Sequence, residues 1–311
     1  MPRPLVTIAI STYNRAEGYL REALESAIAQ AYEPLEIVVV DNASSDATGD
    51  VVASYADDRI RYVRHDQNIG ANGNFNACLK HARGIYFLLL HDDDRIDDDF
   101  VAYCMSGLER VGDGDAPGLV RTGNRVMDAD GVVLSERVNR ARSGSAGDLA
   151  KSWFEHQTSM YFCNTLFLTS ALRSVGGFQS RNELYIDVVA VFRIAATHAV
   201  LDLPDVKASF RRHGGNNGNA QSIAAWCDDS LFLLDVMCDA APERADELRS
   251  IGMRYFASNN YSRAARIARV IPRLQAYWTV YRYFGYRLSP LRFVAYRHFQ
   301  NLRRTLGGRS V

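Results

Sequence analysis

An α/β fold with a mostly parallel sheet flanked by helices, followed by a helical C-terminal region, is predicted by three observations. Short β-branched apolar runs recur through the first hundred residues with helical-period segments between them. The runs are apolar almost throughout instead of alternating, the pattern of strands covered on both faces. Each of them stops at polar, acidic or turn-forming residues.

The elements follow in order. Leu5–Ser11 (LVTIAIS) reads as a buried strand, and Tyr19–Ala31 as a helix with Leu20, Ala23, Leu24, Ala27 and Ile28 on one face. Glu36–Val40 is a second strand ended by Asp41, Thr48–Tyr55 a short helix, and Ile60–Arg64 a third strand. Gly70–Ala82 is a helix and Ile85–Leu90 a fourth strand, which stops at His91 and Asp92–Asp94. Ligands of such sheets bind outside the carboxyl ends of the strands, so Ser11–Arg15, Asp41–Asp46 and Asp92–Asp94 are expected along one cleft.

Further on, Leu119–Leu134 predicts a hairpin around the Asp130-Gly131 turn, and residues 139–147 a polar loop. Tyr161–Leu168 is strand-like, Ser170–Val175 a short helix, Asp187–His198 a helix and Val206–Arg212 a strand. A Gly/Asn-rich loop spans 211–221, and the chain is helical beyond Ser222, with breaks at Ile271-Pro272 and Ser289-Pro290. Two regions are expected: a catalytic domain at 1–220 and a helical, Arg- and aromatic-rich region at 221–311.

The 311 residues are 47% apolar and 23% charged, a globular composition. Formal charge balances at zero, but unevenly. Residues 251–311 hold twelve Arg, no Lys and no acid, which leaves 24 basic against 36 acidic residues in the first 250. Five dispersed cysteines without a CxxC argue against a disulfide framework or a zinc site and point to a reducing compartment. A strand-like start and the lack of an eighteen-residue apolar stretch lead us to expect a cytosolic protein without signal peptide or membrane span.

Asp92, Asp93 and Asp94 follow a buried strand with only His91 between. Adjacent carboxylates repel each other, and a divalent cation relieves this: Mg²⁺ and Mn²⁺ prefer oxygen ligands and share them with substrate phosphates. A solvated turn is the alternative, and for Asp97–Asp99, which precede a helical run, that alternative suffices.

Residues 6–15 (VTIAISTYNR), 36–46 (EIVVVDNASSD) and 68–94 (NIGANGNFNACLKHARGIYFLLLHDDD) resemble, in order and spacing, the signature of the family 2 inverting glycosyltransferases. The resemblance covers about residues 4–215. It implies a GT-A fold, Rossmann-like in its sheet, and transfer of a sugar from a nucleotide-sugar donor to an acceptor hydroxyl with Mn²⁺ or Mg²⁺ as cofactor. It places Thr12, Tyr13 and Arg15 near the nucleotide and makes Asp41 the carboxylate facing the base. Asp92, Asp93 and Asp94 match the metal motif, with Asp92 and Asp94 as its defining acids and Asp92 and Asp93 also toward the nucleotide. Position 91, often Asp or Ser in relatives, is His here. Without the resemblance, Asp41, Asn42 and Asp46 read equally well as turn caps. Asn72, Asn74 and Asn76 stay open between site and helix surface.

Inversion needs a carboxylate that takes the acceptor's proton. Relatives carry it in a GGFD segment followed by an Glu-Asp pair opening a helix. Here residues 176–195 read GGFQSRNELYIDVVAVFRIA, with Ile186 in place of the Glu. Asp187 is the candidate base, with an N-cap role as its structural alternative, and Glu183 is the second candidate. By the same resemblance His213 lies near the metal or diphosphate, and Arg211 and Arg212 add charge there. Trp153 and Tyr161 fit either an acceptor pocket or the core.

Twelve Arg and twelve aromatics in 251–311 suit an amphipathic helix on an anionic membrane surface, at the inner face of the cell membrane. The acceptor would then be a glycan or lipid-linked glycan, in cell-surface polysaccharide or glycolipid assembly. Packing on the catalytic domain and formation of a homodimer are the other uses of this tail; no nucleic-acid module is visible. Two other functions compete. A sugar nucleotidyltransferase would want a Gly-rich basic loop after the first strand, and a non-catalytic nucleotide-sugar binder would not need the intact acids.

Overall fold

The computed structural model describes residues 3–111, 116–141, 144–214, 221–285, 289–291 and 293. Residues 215–220 of the Gly/Asn-rich loop and 294–311 of the basic tail lie outside them.

The first half alternates as expected: β1 (Val6–Thr12), α1 (Leu20–Ile28), β2 (Leu35–Asp41), α2 (Thr48–Ala53), β3 (Ile60–Arg64), α3 (Ala71–His81) and β4 (Tyr86–His91). Then come β5 (Arg95–Ile96), α4 (Phe100–Glu109), the hairpin β6 (Leu119–Met127) and β7 (Val133–Arg137), α5 (Ala146–Phe154), β8 (Thr165–Leu168) and α6 (Thr169–Ser174). The last elements are α7 (Ile186–Ala195), β9 (Val200–Arg211), α8 (Ile223–Ala240), α9 (Ala245–Ala264) and α10 (Val270–Tyr283).

One sheet runs β3-β2-β1-β4-β8-β6-β9-β5, with β7 on β6. Strands β3, β2, β1 and β4 are parallel, as are β6 and β9, while β8 runs antiparallel to both its neighbours. Successive strand residues face opposite sides. Ala9, Val38, Val40, Phe87 and Leu89 enter one core, and Ile8, Ile10, Val39, Leu88 and Leu90 the other. This explains why the runs are apolar throughout: the sheet is covered on both faces.

Several local expectations change. The strand expected over Tyr161–Leu168 begins only at Thr165, after a 3-10 turn at Phe162–Asn164. Three other changes have a plain local cause. Helix α5 begins inside the stretch read as a loop, because Ser145 caps it by accepting the Asp148 N–H. Strand β9 starts at Val200, not Val206; Pro204 is absorbed at a register shift between Arg121 and Gly123 of β6. Pro272 does not break a helix but stands in the first turn of α10, where its missing N–H has no partner to lose. The break lies at 265–269.

The C-terminal helices share a core with the sheet. Leu233, Leu234, Met237, Phe256 and Tyr261 pack in one cluster with Phe154, Val188 and Phe192.

Candidate active site

The carboxyl ends of three neighbouring strands meet as the sheet topology requires. Thr12 pairs in register with Asp41, and Ser11 with His91. The loop after β1 is tied to the loop after β2: Asn14 N–H donates to Ser44 Oγ (2.8 Å), Arg15 N–H to Thr48 Oγ1 (2.9 Å) and Ala16 N–H to Asp46 Oδ2 (3.0 Å). Thr12 is buried, and Tyr13 is 46% exposed at the rim. Arg15 Nε lies 3.4 Å from Asp92 Oδ1.

Asp41 has no exposed surface. Its Oδ1 accepts the Ser44 N–H (2.8 Å) and hydroxyl (2.6 Å), and its Oδ2 accepts the Tyr62 hydroxyl. Both carboxylate oxygens thus hold the turn after β2 and the Tyr62 side chain in place. The asparagines act similarly. Asn74 donates to Ser11 Oγ (2.7 Å) and the Val40 carbonyl (2.9 Å), and Asn76 exchanges two 2.9 Å bonds with the Phe178 backbone. They brace the strand ends and the Gly-Gly-Phe segment.

The acidic turn is tight: Asp94 N–H donates to the His91 carbonyl (3.2 Å). His91, Asp93 and Asp94 each bring a ligand atom within 4.8 Å of the others. Asp92 faces Arg15 instead, and His213 Nε2 lies 2.8 Å from Asp93 Oδ2. Of the residues expected to hold a metal, Asp94 thus stands in the cluster, Asp92 beside it, and His213 behind Asp93. His91 is placed more directly than the sequence suggested. Its ring stacks on Phe75 (4.9 Å) and packs against Phe162 (4.9 Å), and its buried Nε2 has no hydrogen-bond partner. Burial lowers the His91 pKa, favouring the neutral form that ligates metals, although Asp93 opposes the shift.

Burial and the charge of Asp93 push Asp92 up to about 6, against the opposing pull of Arg15. The same two causes raise Asp94 well above the carboxylate range, against the Arg211 N–H that reaches its Oδ1 (2.9 Å). Carboxyls crowded in this way, beside an unpartnered imidazole nitrogen, fit a divalent cation. Arg211, almost fully buried, does not face outward toward a diphosphate. It donates from Nε to the Asp93 carbonyl (2.9 Å), from Nη2 to Glu22 (2.6 Å) and from Nη1 to the Ala129 carbonyl (3.1 Å), bracing the acidic turn.

Asp187 occupies the second position of α7. Tyr185 before it has φ 53°, a left-handed conformation that turns the chain into the helix. Burial pushes the Asp187 carboxyl up to about 6, offset in part by the Val188 N–H on its Oδ1 (2.9 Å). Tyr161 stacks on Phe210 of β9 (4.4 Å); burial raises its pKa, with Arg212 opposing and Asp187 adding to the shift. Glu183 is exposed, also at positive φ, and reaches toward Gly70 before α3. Trp153 joins an aromatic cluster with Phe154, Tyr185, Tyr255 and Phe256.

Asp229 on α8 is a residue that sequence reading passed over. Buried, it accepts from Ser180 Oγ (2.5 Å), Asn182 Nδ2 (2.8 Å), Asn182 N–H (3.0 Å) and Leu184 N–H (2.9 Å). It pins the loop that delivers Glu183, Tyr185 and Asp187. Ile223–Met237 carries three acids, Asp228, Asp229 and Asp235, and nothing in the sequence marks which of them turns inward.

The profile of "Glycosyl transferase family 2" matches residues 7–175. Succinoglycan biosynthesis protein ExoO of Rhizobium meliloti is 42% identical over 93 residues, 30% of this chain and 26% of ExoO. The chain covers only 15%, 26% and 28% of the length of three such curated relatives. Among solved structures, S. aureus TarS 1–349 in complex with UDP-GlcNAc superposes with TM-score 0.68 at 15% identity, covering 90% of this chain and 81% of TarS 1–349. Mannosyltransferase PcManGT from Pyrobaculum calidifontis, in complex with GDP-Man and Mn²⁺, does so with TM-score 0.54 at 17% identity over 94% of this chain and 86% of its own. These structural likenesses establish the GT-A fold.

Proposed function

The chain belongs to glycosyl transferase family 2, and from that premise we propose that it moves a sugar, with inversion, from a nucleotide-diphosphate sugar to an acceptor hydroxyl. The observation that carries this reading is the gathering of His91, Asp93 and Asp94 in one turn at the carboxyl end of β4. This turn is suited to a cation and diphosphate, and a second carboxylate, Asp187, stands in the first turn of α7.

The loops after β1 and β2 form the nucleotide pocket, with Tyr13 exposed for stacking on the base and Asp41 holding the turn at Ser44. Arg15 and Asp92 stand where the diphosphate enters. Asp93, Asp94 and His91 would hold Mn²⁺ or Mg²⁺, with Asp92 beside them and His213 fixing Asp93. When bound, the cation neutralises charge on the departing diphosphate. Asp187 takes the acceptor hydroxyl's proton while the acceptor oxygen bonds to the anomeric carbon from the side opposite the leaving group. The anomeric C–O bond breaks and its electron pair leaves with the diphosphate, so one displacement inverts the centre. A carboxyl with a pKa near 6 is ionised at neutral pH yet basic enough for this proton.

ExoO, named for succinoglycan biosynthesis, supports polysaccharide or glycolipid assembly as the setting. Among the described residues no helix is long and apolar enough to cross a membrane. Helix α10, however, exposes Val270, Ile271, Leu274 and Trp278, with Arg269 just before it. We assign this face to an anionic membrane surface. Cosedimentation with phosphatidylglycerol vesicles, weakened by Ile271→Glu and absent with phosphatidylcholine, checks it; equal recovery with both lipids overturns it.

Calorimetric titration of UDP, dTDP and GDP, with and without Mn²⁺, tests the donor reading on the wild type and Asp94→Asn. One nucleotide is expected to bind only with metal and to lose at least about tenfold in affinity in the variant. A folded protein that binds none of the three overturns it.

A further inference from the structure

A cleft of about 890 Å³ opens between the end of β9 and helices α8 and α9. Arg212, Arg263 and Arg266 line it together with Phe210, Trp226 and Ser262. No carboxylate is among the described residues of its walls.

Its lining differs from that of the acidic turn. None of Asp92, Asp93 and Asp94 contributes to it, whereas its wall adjoins the segment that carries Asp187. Trp226 packs edge-on against Tyr185 (5.3 Å), two residues before the proposed base, and Phe210 stacks on Tyr161 (4.4 Å). Arg212 in its wall stands between Arg211 and His213, which touch Asp94 and Asp93, so the cleft adjoins both the acidic turn and the segment carrying Asp187.

Its chemistry is specific. The Arg263 guanidinium lies 3.6 Å from the centroid of the Trp226 ring and donates to the Tyr185 hydroxyl (3.3 Å). It also donates to Asn260 Oδ1 (3.4 Å), and the fully buried Asn260 is itself fixed by Ser230 Oγ (3.0 Å). A guanidinium clamped in this way has little rotamer freedom left to lose, so the ordering cost of binding an anion is reduced. Arg212 and Arg266 are exposed beside it. Three guanidinium groups gathered without a carboxylate suit an anion, because planar N–H pairs match phosphate and carboxylate oxygens. One face of each ring is taken, by Tyr161 and by Arg263, and the remaining surface of Phe210 and Trp226 that lines the cleft is apolar ground for a sugar ring.

We infer that this cleft is the acceptor site and that it selects an acceptor glycan bearing a negative charge, phosphate or carboxylate, next to the hydroxyl that is glycosylated. This rests on the transferase reading and adds the acceptor's chemical class to it.

The test is calorimetric binding of three probes to the full chain with UDP or whichever nucleotide binds: maltotriose, trigalacturonate and a glycerol-phosphate oligomer. At least one anionic probe is expected to bind about tenfold or more tightly than maltotriose, with affinity falling as salt rises. The two anionic probes distinguish carboxylate from phosphate. Arg266→Gln, at an exposed position, and Arg263→Gln are each expected to weaken the anionic probe about tenfold and leave maltotriose unchanged. Thermal unfolding of both variants tells loss of the site from loss of the fold. Equal binding of neutral and anionic probes, or an anionic affinity that survives Arg266→Gln in the presence of bound nucleotide, overturns the inference alone. Absence of nucleotide binding in the wild type overturns the transferase reading and the acceptor assignment with it.

Discussion

Replacing Asp187 by Asn removes one charge and keeps the side-chain volume and the Val188 N–H bond. Its carboxyl is pushed by burial from an ordinary value of 3.8 up to about 6. The wild-type base is then about nine-tenths ionised at pH 7 and about one-tenth at pH 5, so kcat/KM should fall about tenfold across that interval. In Asp187→Asn the rate itself should drop about 10²- to 10⁴-fold, the range for loss of a general base, while nucleotide binding stays within about twofold. Stability should move the other way. A raised pKa means the fold disfavours the ionised form, so this group's contribution declines as pH rises from 3.8 to about 6. At pH 8 the ionised wild type carries up to about 3 kcal/mol of that penalty and the amide does not. The variant should therefore melt a few degrees higher at pH 8 and show no gain at pH 4. Initial rates from pH 4.5 to 8.5, with melting curves at both ends, make the measurement. Retention of more than about a tenth of wild-type kcat would refute the assignment. A loss confined to Glu183→Gln would transfer the role to Glu183.

Two further predictions concern the supports of the site. His91→Phe preserves packing against Phe75 and Phe162 but removes the ring nitrogens, so Mn²⁺ affinity followed by electron paramagnetic resonance should fall about tenfold or more; unchanged affinity removes His91 from the ligand set. Asp229→Asn puts an amide in place of a carboxylate that accepts from Ser180, Asn182 and Leu184. It should cost about 2–4 kcal/mol of stability in denaturant melts and lower kcat more than it alters nucleotide affinity; an unchanged kcat would show that the 180–187 loop needs no such anchor.

Local pattern decided much of the fold. Each βα unit of the first hundred residues is written in contiguous residues, and strand β3 was legible to its ends at Ile60 and Arg64. The acidic turn was equally local, since Asp92–Asp94 sit directly behind an apolar strand. The tail was not legible in this way. Its composition does not distinguish Phe256 and Tyr261, buried in the core beneath the sheet, from Trp278, 56% exposed on α10. Burial depends on which face another element covers, and composition carries no face.

Sequence by itself thus determined the fold class, the family and the identity of the strand-end acids, because each rests on neighbours along the chain. Tertiary structure alone decided how those acids are used. It turned Asp41 inward onto Ser44 and Tyr62, gathered His91 with Asp93 and Asp94, and set Asp229 under a loop more than forty residues away in sequence. It also brought Arg212 of one segment beside Arg263 and Arg266 of another, around a cleft free of carboxylates among its described residues. The physical reason is the same in each case: hydrogen bonds, desolvation and charge act over a few ångströms of space, and only the packed chain defines those distances.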